Sequence, residues 1–156
     1  MIHVNVVALT QLTKLFLPDV LSSGQGKILN VASTGAFVPG PLMPVYFATK
    51  AYVLSWSQAL AHDLRARGVS VTALCPGPTL TNFYRRAGTG PPRLARGHMM
   101  TAQAVALAGY RGLMRRRTVV IPGWRHRLSV LALRALPRDA ATRLTRILQQ
   151  HREPCI

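Results

Sequence analysis

"KILNVASTGAFVPGPLMPVYFATKAYVLSWSQALAHDLRARGVSVTAL", residues 27–74, is the stretch that decides the fold. It opens with a short run of β-branched and apolar residues, 27–32, and closes with a similar run, 69–74. Each run predicts a strand that is buried on both faces. Residues 45–67 form the longest helical pattern, with a proline suited to the first turn and a glycine just past the last. A strand, a helix and a strand in this order predict two parallel strands joined by a right-handed crossover.

The flanking segments continue the same alternation. Residues 5–21 carry apolar residues near helical spacing, and Pro18 with a Ser-Ser-Gly cluster is expected to close that helix. Residues 33–44, rich in glycine and proline, are expected to be a loop. Farther along, residues 101–115 predict a helix and residues 118–122 predict a strand. This order predicts an α/β fold with a doubly wound parallel sheet of about three strands.

A strongly basic tail, residues 123–156, is expected to follow a domain formed by residues 1–122. The last 96 residues have a net charge of +14, against +2 for the first 60. Residues 124–151 predict one or two basic amphipathic helices, broken at Pro137, whose apolar stripe is formed by Trp124, Leu128, Leu131, Ala135 and Leu136. Such helices are typical of peripheral contact with anionic membranes. The tail could equally cover the mouth of a substrate pocket, which is the interpretation favoured slightly here.

The composition limits the classes of protein to consider. Of the 156 residues, 49% are apolar and 15% are charged, which favours a packed globular chain. Aromatic residues do not interleave with the arginines, so nucleic acid is not an expected partner. Cys75 and Cys155 are too few for a disulfide framework, and the histidines are scattered singly, so a cytoplasmic protein without a metal site is expected. No secretory signal and no run of about 18 apolar residues is found, so no membrane-spanning segment is expected.

Polar residues from three segments are expected to meet at one edge of the sheet. Doubly wound sheets bind ligands outside the carboxyl ends of their strands. Ser33 and Thr34 follow the first strand, and the sequence PGPTLT, residues 76–81, follows the second. Tyr46 and Lys50 lie one helical turn apart near the start of the intervening helix. The sequence therefore predicts a site that these residues share.

Tyr46 and Lys50 have the chemistry of a proton-handling pair. A free tyrosine has a pKa of about 10, and an ammonium one turn away favours the phenolate, which brings the phenol nearer to the range of a general acid or base. Ser33 could then hydrogen-bond the oxygen of a carbonyl or alcohol. These parts suit hydride exchange at a carbon that bears oxygen. By spacing alone, the pair could also be two ordinary polar groups on an amphipathic helix.

In their order along the chain, these residues resemble the motifs of the short-chain dehydrogenase/reductase family. The family's YxxxK motif matches the segment from Tyr46 to Lys50, and its serine, thirteen residues before that tyrosine, matches Ser33 in ILNVAST. Its asparagine in a VN element matches Asn5 in HVNVV, and its PGxxxT element matches residues 76–81.

The resemblance implies a Rossmann-like fold, NAD or NADP as cofactor, and a small carbonyl or alcohol substrate. It implies that Tyr46 is the general acid or base and that Lys50 lowers the pKa of that tyrosine. Ser33 would orient the substrate oxygen, and Asn5 would hold a water that links Lys50 to solvent. The implied cofactor contacts are Tyr46, Lys50, Pro76, Gly77, Pro78, Thr79 and Thr81. The resemblance also implies a homo-oligomer that forms through the helices predicted at 5–21 and 45–67.

Each of these residues also has a plain structural explanation. Asn5 could cap a helix, and Ser33 with Thr34 could simply form a turn. The sequence from Pro76 to Pro78 could serve only to end a strand. Cys75, at a strand end, is expected to be a packing residue.

The family's TGxxxGxG turn, whose backbone approaches the cofactor pyrophosphate at a helix N-terminus, is absent from the sequence. The chain therefore resembles the second half of such an enzyme, and the 156 residues alone are expected to be inactive. The alternative is a non-catalytic membrane-surface or protein-binding module derived from that half. The sequence does not identify the substrate, because loop 87–97 and the helix after it vary within the family. The nearby apolar residues Phe83, Leu94, Met99 and Met100 indicate only a general apolar preference.

Overall fold

The computed structural model describes residues 1–88, 97 and 99–149. Its strands are β1 (Lys27–Val31), β2 (Ser70–Leu74), β3 (Thr79–Leu80), β4 (Met100–Thr101) and β5 (Val119–Val120). Its α-helices are α1 (Leu9–Ser22), α2 (Pro44–Leu64), α3 (Phe83–Arg86), α4 (Ala102–Met114), α5 (Trp124–Ala135) and α6 (Arg138–Gln149). A π-helical segment, His3–Ala8, leads into α1, and 3-10 turns occupy Thr34–Phe37 and Arg65–Arg67.

A parallel sheet of three strands confirms the predicted α/β fold. The strand order is β1-β2-β5, so β1 is an edge strand within the described residues. Lys27 pairs with Ser70, and Val31 pairs with Leu74 at the carboxyl ends of the two strands. β3 and β4 form a separate parallel pair that the sequence did not predict. The register aligns the carboxyl ends of β1 and β2, which is where the candidate site lies.

Helices cover both faces of this sheet. On one face, Val53 and Leu54 of α2 pack against Ala73 of β2. On the other face, Gly109 of α4 approaches so closely that an added Cβ would lie 2.8 Å from a methyl carbon of Leu74. Glycine is a poor helix former, but its missing side chain is what lets α4 lie close against the strands here.

Several predicted boundaries were wrong. Pro18 lies inside α1 and does not end it, because apolar residues on both sides of the proline still pack against the core. The strand predicted at 118–122 is reduced to Val119–Val120, since Pro122 has no N–H to donate to a ladder. Residues 33–44 contain a 3-10 turn. Of loop 87–97, residues 89–96 lie outside the described residues, and so do the last seven residues of the tail.

The amino-terminal helix departs from the expectation that no segment could span a membrane. Within the described residues, His3–Ser22 is long and apolar enough to do so by length and composition, with a mean hydropathy of 1.3. Isolated polar residues such as Asn5 and Lys14 divide the segment, so it contains no uninterrupted apolar run of about 18 residues. In the structure, Leu17, Val20 and Leu21 pack against the core beside α2 and β2.

Candidate functional site

The two turns that follow β1 and β2 are joined directly. The backbone N–H of Thr34 donates to the carbonyl oxygen of Pro76 at 2.9 Å, and that of Ala32 donates to Leu74 at 2.8 Å. The ladder therefore continues past the strand ends into the turns. The structure thus brings the Ser33 turn and the PGPTLT turn together, as their positions after parallel strands predict.

Ser33 begins the turn after β1. Its Oγ accepts a hydrogen bond from the backbone N–H of Gly35 at 3.1 Å, and its backbone is extended, so it caps the 3-10 turn. The turn role considered from the sequence is therefore present. A hydroxyl oxygen that accepts one bond can still donate its own proton. Ser33 thus retains a donor for an oxygen atom placed at this edge.

Tyr46 and Lys50 lie side by side on the first turns of α2. The Lys50 Nζ is 5.9 Å from the centroid of the Tyr46 ring and donates to the carbonyl oxygen of Val31 at 2.8 Å. Burial lowers the pKa of Lys50 below its ordinary value of 10.5, and the neighbouring Cys75 opposes that change. The bond holds the lysine at the carboxyl end of β1, because its acceptor, Val31, is the last residue of that strand and lies two residues before Ser33.

Aromatic rings surround the Tyr46 side chain. Phe47 meets it edge-on with ring centroids 5.8 Å apart, and Phe83 of α3 lies tilted against it at 5.5 Å. Tyr84 packs edge-on against Phe83 at 5.3 Å. Such contacts fix the orientation of a ring and add apolar surface around it. The sequence marked Phe83 only as a general apolar residue and gave no sign that it touches Tyr46.

Asn5 lies in the π-helical segment and reaches across to α2. Its Nδ2 donates to Thr49 Oγ1 at 3.1 Å, and that hydroxyl donates to the carbonyl oxygen of Tyr46 at 2.8 Å. Asn5 is not a helix cap, because the N-cap position belongs to Ile2. Asn5 therefore connects the amino-terminal helix to the Tyr46 carbonyl through Thr49, a residue that the sequence analysis did not identify.

The PGPTLT turn is stabilised by its own hydroxyl groups. Thr79 Oγ1 donates to the carbonyl oxygen of Gly77 at 2.9 Å, and Thr81 Oγ1 accepts from the backbone N–H of Phe83 at 3.2 Å. From the outside, His126 of α5 packs on Gly77, where an added Cβ would lie 2.6 Å from the ring Nε2. The His126 Nδ1 bonds the carbonyl oxygen of Pro122 at 3.1 Å. The turn is thus shaped by a histidine that the sequence showed only as one of several isolated histidines.

Cys75 lies under the site and behaves as a packing residue. Its side chain is fully buried in the core cluster beside α2. Burial raises the pKa of the Cys75 thiol to about 12, so the thiol stays protonated at neutral pH.

Within the part of the chain that the structure describes, no group of three or more His, Cys, Asp or Glu could hold a metal ion.

Comparisons with known proteins point in one direction. The short chain dehydrogenase family matches residues 1–91. The very-long-chain 3-oxoacyl-CoA reductase of Rattus norvegicus is 37% identical over 76 residues, which is 49% of this chain and 24% of that protein. The ketoacyl reductase HetN of Nostoc is 31% identical over 120 residues, which is 76% of this chain and 41% of that protein.

A solved structure extends the similarity to the fold. A short-chain dehydrogenase from Sphingobium yanoikuyae in complex with NADPH matches with a TM-score of 0.72 and 34% identity. The match covers 85% of this chain and 52% of that one. The chain spans less than half the length of the curated relatives it matches.

Proposed function

Because the chain belongs to the short-chain dehydrogenase family, we propose that it forms the substrate-side half of a site for hydride transfer between a nicotinamide cofactor and a carbonyl or secondary alcohol. Residues 1–122 would form this half, and residues 123–156 would be an appended basic tail. The observation that carries the proposal is the placement of the Tyr46–Lys50 turn at the carboxyl end of β1, beside the Ser33 turn.

In the proposed mechanism, the Tyr46 hydroxyl moves the proton. During reduction it donates that proton to the substrate oxygen as the carbonyl carbon becomes tetrahedral, and during oxidation the phenolate takes the proton back. The Lys50 ammonium, held by Val31, would stabilise the phenolate form. The Ser33 hydroxyl would donate to the same substrate oxygen and fix its direction.

The chain offers groups that fit one part of a nicotinamide cofactor, NAD or NADP. A bound nicotinamide would supply or accept the hydride. Thr79 donates its proton within the turn and keeps lone pairs that can accept from an amide. Thr81 accepts from Phe83 and keeps a proton for a phosphate oxygen. The backbone from Pro76 to Pro78 would line the cofactor, and Lys50 would hold its ribose.

The glycine-rich turn for the pyrophosphate is not among the 156 residues, so we expect them alone to bind neither NADH nor NADPH at micromolar concentration. Fluorescence titration of the purified chain tests this expectation. A micromolar dissociation constant would show that the absent turn is dispensable.

Activity is tested by joining the glycine-rich half of the Sphingobium relative in front of this chain and measuring NADPH oxidation with a panel of ketones. Tyr46→Phe should lower the rate about 100- to 10,000-fold, the usual contribution of a general acid. Tyr110→Phe is the matched control, because Tyr110 is an exposed tyrosine on α4. Equal activity of the Tyr46→Phe and Tyr110→Phe forms would overturn the role of Tyr46.

We also propose that two copies associate through α1 and α2. The support is an exposed apolar surface on α1 formed by Leu12, Leu15 and Phe16. Isolated apolar residues are common on protein surfaces, but these three stand at i, i+3 and i+4 and are therefore neighbours on one face of the helix, which supports an interaction site. Leu15→Glu should convert a dimer to a monomer in light scattering coupled to gel filtration, and an unchanged mass would contradict this interface.

A further inference from the structure

Helix α5 has two apolar faces on opposite sides. Its inner face packs on the protein through His126, Val130 and Leu133, and Val130 is buried. Its outer face carries apolar residues at i, i+4 and i+7, with exposed fractions of 66% for Trp124, 56% for Leu128 and 61% for Leu131. Residues at this spacing form one line along a helix. The inner face already packs on the 3-10 turn Thr34–Phe37 and on Gly77, so the outer line is apolar surface that the fold of the described residues does not use.

Positive charge accompanies this outer line, and Arg125 lies beside it. The other two arginines of α5 contact the protein itself, since Arg127 Nε donates to the carbonyl oxygen of Ile121 and Arg134 lies against Phe37. Between Trp124 and Gln149 there are six arginines and one acidic residue, Asp139, a net charge of +5. The Arg125 guanidinium lies 5.3 Å from the centroid of the Trp124 ring. Helix α6 repeats the arrangement, with exposed Leu144 and Ile147 beside two arginines.

The charge selects among the possible occupants of this face. A second copy would bring a net charge of +5 against another +5, which opposes self-association through this face. An anionic lipid surface suits both the positive charge and the apolar residues of this face. Phosphate headgroups pair with arginine, while tryptophan and leucine enter the boundary between headgroups and acyl chains. The outer line from Trp124 to Leu131 covers about 10 Å of helix, at about 1.5 Å per residue, so it suits a helix lying in the plane of the surface.

We propose that the outer face of α5, formed by Trp124, Leu128 and Leu131 and carried by a segment with a net charge of +5, docks on the surface of an anionic lipid bilayer. The inner face of α5 remains packed against the turns that follow β1 and β2. His126 packs on Gly77, and the Arg134 guanidinium lies 6.0 Å from the centroid of the Phe37 ring. Docking by the outer face therefore requires no rearrangement of the turns that follow β1 and β2. The proposal concerns binding alone and does not depend on hydride transfer.

Vesicle flotation of the full chain tests the proposal. Binding is expected to vesicles that contain phosphatidylglycerol, to weaken as salt is raised, and to be absent with phosphatidylcholine alone. Leu128→Glu with Leu131→Glu should lower the partition coefficient by about 100-fold or more, because two leucines leave the bilayer and two negative charges enter the interface. Both positions are exposed, so the variant keeps its folded core, which circular dichroism checks.

The matched control is Leu107→Glu with Tyr110→Glu on α4. These residues have the same spacing, the same added charge and exposed fractions of 46% and 60%. This control should change binding only about threefold, through the net charge. In a Trp56→Phe background, brominated lipids should quench Trp124 fluorescence. Equal loss of binding in the two double variants, no quenching of Trp124, or self-association through the outer face without vesicle binding would each overturn the proposal.

Discussion

Replacement of Gly77 by alanine tests how α5 shapes the turn after β2. The φ angle of Gly77 is not among the positive values found in the chain, so its backbone accepts a Cβ without strain. The obstacle is His126, because that Cβ would lie 2.6–2.7 Å from three atoms of the imidazole ring. Carbon atoms in good contact are about 3.5 Å apart, so the ring has to retreat by roughly 1 Å. The bond from the ring to the Pro122 carbonyl resists that movement.

Overpacking of this kind costs about 1–3 kcal/mol, which is the expected loss in the free energy of unfolding for Gly77→Ala. In a His126→Ala background the obstacle is gone, and the same change should be neutral or should stabilise the chain by up to about 1 kcal/mol, because alanine restricts the unfolded chain. Urea denaturation of the four forms, followed by circular dichroism, gives both values and their coupling. If Gly77→Ala destabilised both backgrounds equally, the turn backbone and not the histidine would require the glycine.

Two further predictions concern buried groups. Burial raises the pKa of Cys75 from 9.0 to about 12, so between these two pH values the folded chain keeps a proton that the unfolded chain loses. The free energy of unfolding, relative to that of Cys75→Ala, should therefore fall as the pH rises from about 9 to 12. Paired urea titrations measure this difference. In a Cys155→Ser form, the thiol should also resist iodoacetamide at pH 8 until the chain unfolds, and rapid labelling of the folded chain would refute its burial. Ser57→Ala should lower the free energy of unfolding by about 1–3 kcal/mol, because the buried Asn30 amide, which donates to Ser57 Oγ at 3.0 Å, loses its acceptor. The control Ser55→Ala, at an exposed position of the same helix, should lower it by less than about 0.5 kcal/mol.

The sequence predicted the elements that depend on neighbouring residues. Residues 27–74 predicted β1, α2 and β2 because apolar periodicity and helix-end residues act over a few positions. Pro44 begins α2, and Gly68 ends the following 3-10 turn with a φ of +76°, as a glycine at that position predicts. The joining of the Ser33 turn to the turn after β2 was also predictable, because parallel strands share a carboxyl edge.

Contacts between distant segments could not be predicted in the same way. Asn5 and Thr49 are 44 residues apart, and no local pattern shows that one donates to the other. The contact between Gly77 and His126 depends on the direction in which α5 leaves β5, and Gly123, with a φ of +81°, lies at the start of that helix. In isolation, a lone histidine and a Pro-Gly-Pro turn each have an ordinary explanation. Only packing shows that they are partners.

These distant contacts bear on how much of the site the chain organises by itself. The Tyr46–Lys50 turn is held from the strand side by the bond between Lys50 and Val31, and from the helix side by the bonds that run from Asn5 through Thr49 to Tyr46. All of these atoms belong to the described residues, so the positions of the tyrosine and lysine do not require the pyrophosphate-binding turn. Addition of that turn in the fusion should therefore supply cofactor affinity to an existing arrangement. Asn5→Ala in the fusion should then lower the rate constant for catalysis more than the affinity for NADPH, whereas an equal loss in both would mean that the site forms only around the cofactor.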